Sequence, residues 1–385
     1  MKKVLIISQA ITQTYYDLLS QSLDDCKITL ITGSNINAER VIKSPAHNPL
    51  STKSRLICWK QHYTFVLSWA KKNKNERFDL VFATSNPPIN SYIGLKVSKL
   101  FGCKFVYMNW DLYPQVIEGA FNSQLVKAIC GLWRQWNSRN YPKIDKILTL
   151  GDGMAESINE QLKSRVPVSV IPLGVNIDYL KPIRKNENVF CINNNIDNKF
   201  IVLYSGKMGR GHNIDIILEA ATKLESYSDI LFLFIGNGEK RPIVENYIKN
   251  NKKNNVMLLD MQSDAVFPYS QASGDLCIVS QEKEMAKLFM PSKTYSALAC
   301  GQGIIGLCSK DDDLGKLISK YGVGRIVSGE RSEELVDCII HYYDNAQELF
   351  DLRNRARKVS EDYFSLSRIS HMYRDLFEKM IKNKE

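Results

Sequence analysis

Short apolar runs rich in β-branched residues recur along the first half of the chain: KVLIIS (Lys3–Ser8), KITLIT (Lys27–Thr32), DLVFAT (Asp79–Thr84), KFVYMN (Lys104–Asn109), KILTL (Lys146–Leu150) and VSVIP (Val168–Pro172). Longer segments with apolar residues at helical spacing lie between them. This alternation predicts βαβ units and a parallel sheet. A polar stretch from Arg184 to Lys199, ending in NNNIDNK, reads as a linker or loop. The pattern then restarts with FIVLYSG (Phe200–Gly206), ILFLFIGNG (Ile230–Gly238), NVMLLD (Asn255–Asp260), DLCIVS (Asp275–Ser280), QGIIGL (Gln302–Leu307) and VGRIVS (Val323–Ser328). Helical segments such as NIDIILEAATKL and RPIVENYIKNN separate these runs. The expected organisation is α/β, with two doubly wound Rossmann-like domains over residues 1–180 and 200–364 and a linker over 181–199. A terminal helix, about 365–385, would pack back on the first domain. Open α/β sheets bind ligands at the carboxyl ends of their strands, and a central cleft between two such domains is the default site.

Composition narrows the class without naming it. The chain has 385 residues, 44% hydrophobic and 24% charged, which is ordinary globular composition. No run of eighteen apolar residues occurs, so no membrane span is expected. The start, MKKVLIISQA, reads as a first strand and not as a signal peptide. The nine cysteines form no CxxC pair and have no histidine at metal spacing, which suggests reduced thiols, a cytoplasmic protein and no metal centre. The net charge of +10 is unevenly placed: residues 1–180 hold 22 Lys+Arg against 13 Asp+Glu, and the remainder 29 against 28. A basic first half points to an anionic surface or substrate. No nucleic-acid-binding motif appears, so no nucleic acid partner is expected.

Three loops of the second half carry candidate chemistry. SGKMGRG (Ser205–Gly211) combines Gly206, Gly209 and Gly211 with the cations Lys207 and Arg210. Glycines let a ligand approach the backbone, and the cations suit phosphate oxygens. IGNGE (Ile235–Glu239) is a second strand-end turn, with Gly236, Asn237 and Gly238. In MPSKTYSALACGQGIIG (Met290–Gly306), Ser292 is placed to N-cap a helix whose first N–H groups, from Lys293, Thr294 and Tyr295, would receive an anion. A lysine there opposes the helix dipole by up to about 1 kcal/mol. A charge-assisted contact to phosphate returns about 1.5–3 kcal/mol, so Lys293 is favourable when an anion is present. The P-loop pattern GxxxxGK[ST] is absent, and no GxGxxG follows the first strand, which argues against an NTPase and a nicotinamide dehydrogenase.

Together, LYSGKMGRGHNIDIILEAA, LFIGNGEKR and MPSKTYSALACGQGII resemble the donor half of retaining glycosyltransferases of family 4, which have the GT-B fold. TSNPPINSYIG (Thr84–Gly94), WDLYPQVI (Trp110–Ile117), LGDGMAESI (Leu150–Ile158) and VIPLGVNID (Val170–Asp178) match, in order, the bacterial branch that builds colanic acid, capsule and O-antigen. The resemblance implies a nucleotide-sugar co-substrate in the second domain, a UDP-sugar in preference to a GDP-sugar. Arg210, with Lys207, would hold its diphosphate, and the loop Pro291–Tyr295 with Lys293 would cap it. The turn at Gly236–Gly238 would lie near the nucleoside, with the base against Asp260 and Met261. Asp111, at a strand end of the first domain, would face a glycan or polyprenyl-diphosphate-linked acceptor, and no metal or other cofactor is implied. Many members carry two glutamates eight residues apart, where this chain has Leu288 and Ser296. Glu282 or Glu284 could take over a contact to the sugar, although a solvated loop is the plainer reading of both. His212, beside the phosphate loop, reads as a surface residue.

Two aromatic and cationic segments, Arg55–Lys74 and Leu125–Lys143, have amphipathic helical spacing. Such faces either cover the sheet or lie on an anionic membrane, as in peripheral attachment at the inner face of a plasma membrane. Two other functional classes share the pattern. A non-catalytic GT-B partner subunit would explain the missing glutamates, and a nucleotide-sugar epimerase would share the nucleotide site.

Overall fold

The structure is a computed structural model, and it describes residues 1–48, 51–121, 123–162, 166–209, 211–251, 255–281 and 283–382. The chain divides into two compact units, residues 1–172 with 367–385, and residues 173–366.

In the first unit a seven-stranded sheet is formed by β1 (Lys2–Ile7), β2 (Cys26–Thr32), β3 (Val41–Lys43), β4 (Leu80–Thr84), β5 (Lys104–Met108), β6 (Lys146–Thr149) and β7 (Val168–Val170). All pairs are parallel in the order β3-β2-β1-β4-β5-β6-β7, so the direction of winding reverses between β1 and β4. At that reversal Ser8 Oγ and Thr84 Oγ1 are 2.7 Å apart. Only β3 has no counterpart among the sequence-read strands. It is three residues long, too short for an alternation to register, and pairs with Leu30–Thr32. The terminal helix, Leu366–Lys382, packs in this unit: Tyr373 and Tyr15 share a hydroxyl hydrogen bond of 2.7 Å, and Phe377 lies edge-on to Phe82.

The amphipathic segments form the helices Thr52–Lys72 and Gln124–Asn140. They do not bury all their apolar positions. In the first helix Val66 and Ala70 are fully buried, while Leu56 and Ile57 remain exposed. In the second helix Leu125, Ile129 and Leu132 are 71%, 54% and 71% exposed. Their i, i+4, i+7 spacing makes one apolar stripe on the outside of the unit.

The second unit repeats the design with β8 (Phe200–Ser205), β9 (Ile230–Ile235), β10 (Val256–Leu259), β11 (Leu276–Ser280), β12 (Gly303–Leu307) and β13 (Gly324–Val327). The order is β10-β9-β8-β11-β12-β13, again parallel, with the reversal between β8 and β11. Successive residues of β8 serve opposite core layers. Val202 and Tyr204 pack with Phe232, Phe234 and Ile278 on one face. Ile201 and Leu203 pack with Phe190, Cys191 and Ile196 on the other. The segment read from sequence as a linker therefore contains a helix, Val189–Asn193, that covers one face of the sheet. A parallel sheet must be covered on both faces, and this short segment supplies part of the cover. The polar residues around it concealed three buried apolar ones, Phe190, Cys191 and Ile196.

Candidate functional site

The carboxyl ends of β8, β9 and β11 bring together the loops singled out in the second half. The chain leaving β8 is joined to the chain leaving β9 by backbone hydrogen bonds: Gly206 N donates to Ile235 O at 2.8 Å, Met208 N to Asn237 O at 2.8 Å, and Lys240 N to Met208 O at 2.9 Å. This close approach requires glycine at two positions. Gly236 has φ +141°, and a Cβ there would stand 2.1 Å from Gly206 O. Gly238 has φ +147°, and a Cβ there would stand 2.4 Å from Met208 O. The glycines of IGNG thus let one strand-end turn lie against the other, a packing role in addition to any approach of a ligand. Asn237 Oδ1 accepts from Gly238 N at 2.8 Å and stays within its own turn. Arg241, which the sequence does not single out, donates to Gly236 O at 2.6 Å and pairs with Asp260 at 2.9 Å. It therefore braces the turn against the end of β10, where Met261 is exposed. Its signal in the sequence is only a cation two residues after the turn.

Lys293 enters this cluster from the helix Lys293–Ala299. Its Nζ lies 3.8 Å from the centre of the Tyr204 ring and 3.8 Å from the position a Gly206 Cβ would occupy. The ammonium is shielded from solvent and makes no hydrogen bond. Burial lowers its pKa to about 8, with the nearby Cys277 thiol opposing the shift. A buried cation without an anionic partner is costly unless one arrives. The Tyr204 ring face supplies part of the compensation as a cation–π contact. Tyr204 is itself held by its hydroxyl, which donates to Lys207 O at 2.9 Å. Lys207 is exposed and 3.5 Å from Glu239. Gly209 is placed beside His212, which a Cβ would meet at 3.4 Å. Arg210 and Glu282, both assigned to the donor from sequence, lie outside the described residues.

Several expectations need correction. Ser292 has helical angles, φ −61° and ψ −29°, and its side chain makes no capping hydrogen bond. The N–H groups of Thr294 and Tyr295 donate to Pro291 O and Ser292 O at 3.1 Å each, closing the first turn on themselves. Two of the three N–H groups expected to receive an anion are thereby engaged within the turn. The Tyr295 ring is core, edge-on to Phe364 at 5.1 Å, and Thr294 is buried with its hydroxyl unpartnered. His212 is not a surface residue. Its ring is edge-on to Tyr204, and its Nδ1 lies 2.9 Å from Ser280 O. A carbonyl only accepts, so Nδ1 carries the proton and Nε2 is left as an acceptor. Burial, then the charge of Lys293, lowers its pKa to about 4, so the imidazole is neutral at pH 7. Across the reversal, Asn213 N donates to Ser280 Oγ at 2.7 Å, tying the β8 loop to β11. Gln281 donates to Met285 O and Phe289 O at 2.9 and 3.1 Å, which anchors the chain that leads to Lys293.

Lys207, Lys240 and Lys293 all lie near a neutral histidine that offers one acceptor, Lys207 paired with Glu239 and Lys240 with Asp215, so that Lys293 alone of the three lacks a carboxylate partner. The arrangement is suited to an anion and ill suited to proton abstraction by a strong base. Among the described residues no group of three His, Cys, Asp or Glu side chains could hold a metal ion.

In the first unit Asp111 follows β5 and lines a pocket at the carboxyl ends of β4 and β5, with a volume of 240 Å³. Burial raises its pKa to about 6.

Comparison with known proteins identifies this architecture. Residues 186–359 match the family model described as "Glycosyl transferases group 1". The colanic acid biosynthesis glycosyl transferase WcaI of Escherichia coli (strain K12) is 29% identical over 141 residues, covering 36% of this chain and 34% of that protein. That match thus spans about a third of the relative. The alpha-galactosylglucosyldiacylglycerol synthase of Streptococcus pneumoniae (strain ATCC BAA-255 / R6) is 23% identical over 321 residues, covering 78% of this chain and 81% of that protein. Among solved structures, Anabaena Alr3699/HepE in complex with UDP and glucose superposes with a TM-score of 0.72 at 14% identity, covering 98% of this chain and 100% of that one. The two doubly wound units are those of the GT-B fold.

Proposed function

We propose that this chain, whose residues 186–359 match the model of the group 1 glycosyltransferases, moves a sugar, with retention of anomeric configuration, from a nucleotide sugar to a glycan or lipid-linked acceptor. The donor is a UDP-sugar in preference to a GDP-sugar, the transferred group is a hexosyl or hexosaminyl unit, and the product belongs to a bacterial surface polysaccharide. The observation that carries the reading is the buried, unpartnered Lys293 ammonium at the reversal between β8 and β11. A diphosphate is the anion that this position suits, since the strand-end loop from Gly206 to Gly209, with Lys207, lies beside it. The names of WcaI and of the glycolipid synthase support the polysaccharide and lipid assignments. HepE, crystallised with UDP and glucose on the same fold, supports the choice of UDP.

The reaction on this reading needs no strong base. Cations placed before the substrate arrives stabilise charge as it develops on the leaving diphosphate, at no reorganisation cost during the reaction. Positioning supplies the rest. The leaving phosphate oxygen takes the proton of the attacking hydroxyl, and His212 Nε2 is available to accept a hydrogen bond from the donor. No metal or other cofactor is assigned.

A thermal-shift series with UDP and GDP tests the donor half. A nucleotide at about one hundred times its Kd should stabilise the protein by about 2.7 kcal/mol, with UDP effective at lower concentration than GDP. Absence of a shift with either nucleotide would refute the assignment.

No helix among the described residues is long and apolar enough to cross a membrane. We assign the protein to the cytoplasmic face of an anionic membrane, reached through the exposed stripe of Leu125, Ile129 and Leu132 in the basic first half. Flotation with phosphatidylglycerol vesicles should carry the protein upward at low salt and release it at high salt. A variant combining Leu125→Ser with Leu132→Ser should stay at the bottom of the gradient. Unchanged flotation of that variant would remove the stripe from the membrane contact.

A further inference from the structure

The pocket beyond β4 and β5 has features that the donor reading leaves unused. Three aromatic side chains, Trp59, Trp110 and Tyr113, line it together with Asp111, Arg55 and His47. Its walls are braced by further rings: Trp133 is edge-on to Trp59 at 6.5 Å and stacked with Tyr113 at 6.1 Å, and Tyr15 is edge-on to Trp110 at 5.1 Å. The aromatic surfaces are thus held in place. The Asp111 carboxylate makes no hydrogen bond or ion pair with a described residue. Nitrogens of the wall, among them Trp59 Nε1 and His47 Nδ1, are shielded from solvent and also lack partners. Leaving such groups unsatisfied costs about 1–3 kcal/mol each, a cost removed when hydroxyl groups reach them.

From this combination we propose that the pocket seats one neutral pyranose ring, the terminal sugar of the acceptor. Aromatic faces suit the apolar C–H face of a sugar ring, and a carboxylate with open lone pairs suits its hydroxyl hydrogens. At 240 Å³ the space fits a single ring and lies below the range of about 300–1,000 Å³ typical of larger ligands. A free phosphate or a lipid phosphate fits less well, because the lining holds one cation, Arg55, against one carboxylate, Asp111, and no net positive charge draws an anion. The position, beside the reversal of the sheet between β1 and β4, is where a doubly wound sheet presents ligands. The inference rests on the transferase reading and deepens it by naming the chemistry of the acceptor end.

Tryptophan fluorescence and saturation-transfer NMR on the full chain test it, with the methyl pyranosides of glucose, galactose, mannose and N-acetylglucosamine as probes. Inorganic phosphate and vesicles containing polyprenyl phosphate form the other arms. At least one glycoside should bind saturably. Asp111→Leu and Trp59→Leu should each weaken that binding at least tenfold and leave the UDP thermal shift unchanged. Two variants on different elements keep the test decisive if one does not fold. Failure of every glycoside to bind, glycoside binding that survives both substitutions, or binding of phosphate or lipid phosphate alone would overturn the proposal. A normal UDP shift alongside any of these results would leave the donor reading standing. Glycoside binding without a UDP shift would overturn the donor reading and not this one.

Discussion

Replacing Lys293 by methionine is expected to make the protein more stable at pH 7 and to weaken UDP binding by at least tenfold. Both effects have one cause. The ammonium is buried without a partner, and its pKa falls to about 8. The unfolded chain holds this proton more tightly, with a lysine pKa of about 10.4. Below pH 8 the folded protein therefore carries the full cost of the charge, up to about 3 kcal/mol at about 1.36 kcal/mol per pH unit. As pH rises from about 8 towards 10.4 the unfolded state binds more protons than the folded one, so wild-type stability should rise through that window. Methionine has a similar length, packs on the Tyr204 face and removes the charge. Its advantage should be largest at pH 7 and shrink above pH 8. A lost charge-assisted contact of about 1.5–3 kcal/mol corresponds to a loss of affinity of roughly ten- to a hundredfold. Melting curves across pH, with UDP titrations at pH 7, make the comparison. Unchanged UDP affinity in the variant would remove Lys293 from the donor site. This is the pattern expected of a group kept for binding at the expense of stability.

Asp111→Asn should also stabilise the protein, with the opposite dependence on pH. Burial raises the Asp111 pKa to about 6, above the ordinary aspartate value of about 3.9. A raised acid pKa means that the folded state binds the proton more tightly than the unfolded state. The contribution is favourable below about pH 4 and is lost as pH rises through 6. Wild type should therefore carry a penalty of up to about 3 kcal/mol above pH 7, which asparagine avoids because it has no charge to bury. The difference in Tm should be small at pH 4, grow between pH 4 and 6, and stay level above 7. A difference that does not vary with pH would mean that the carboxylate is solvated and that the pocket described for it is wrong.

These two sites are legible in the sequence to different depths. Lys293 stands out because a cation at the mouth of a helix needs a reason, and the structure places it against Gly206 and Tyr204. The helix-terminus geometry expected around it is only partly present. Ser292 does not cap, and the N–H groups of Thr294 and Tyr295 are consumed by the turn. A cap depends on the backbone angles of one residue, which the residue type favours without dictating. Asp111 stands out by its position after a strand, but nothing in its neighbours along the chain announces Trp59 or His47. Those arrive from other segments through the fold. His212 shows the same limit. Its sequence setting is polar, and its burial comes from Tyr204 and Ser280 on neighbouring strands.

The sequence by itself determined every described strand but β3, the parallel winding, the presence of two units and the glycine-rich turns at their ends. These follow from the periodicity of side chains along the backbone and from local turn chemistry, which act over a few residues. The tertiary structure alone decided which groups lose water and which partners they meet. It made a core helix of Val189–Asn193 within an apparent linker, left Leu125, Ile129 and Leu132 in solvent, and buried Lys293 without a counter-ion. Desolvation and charge pairing depend on distances between segments far apart in the chain, and local pattern carries no record of those distances.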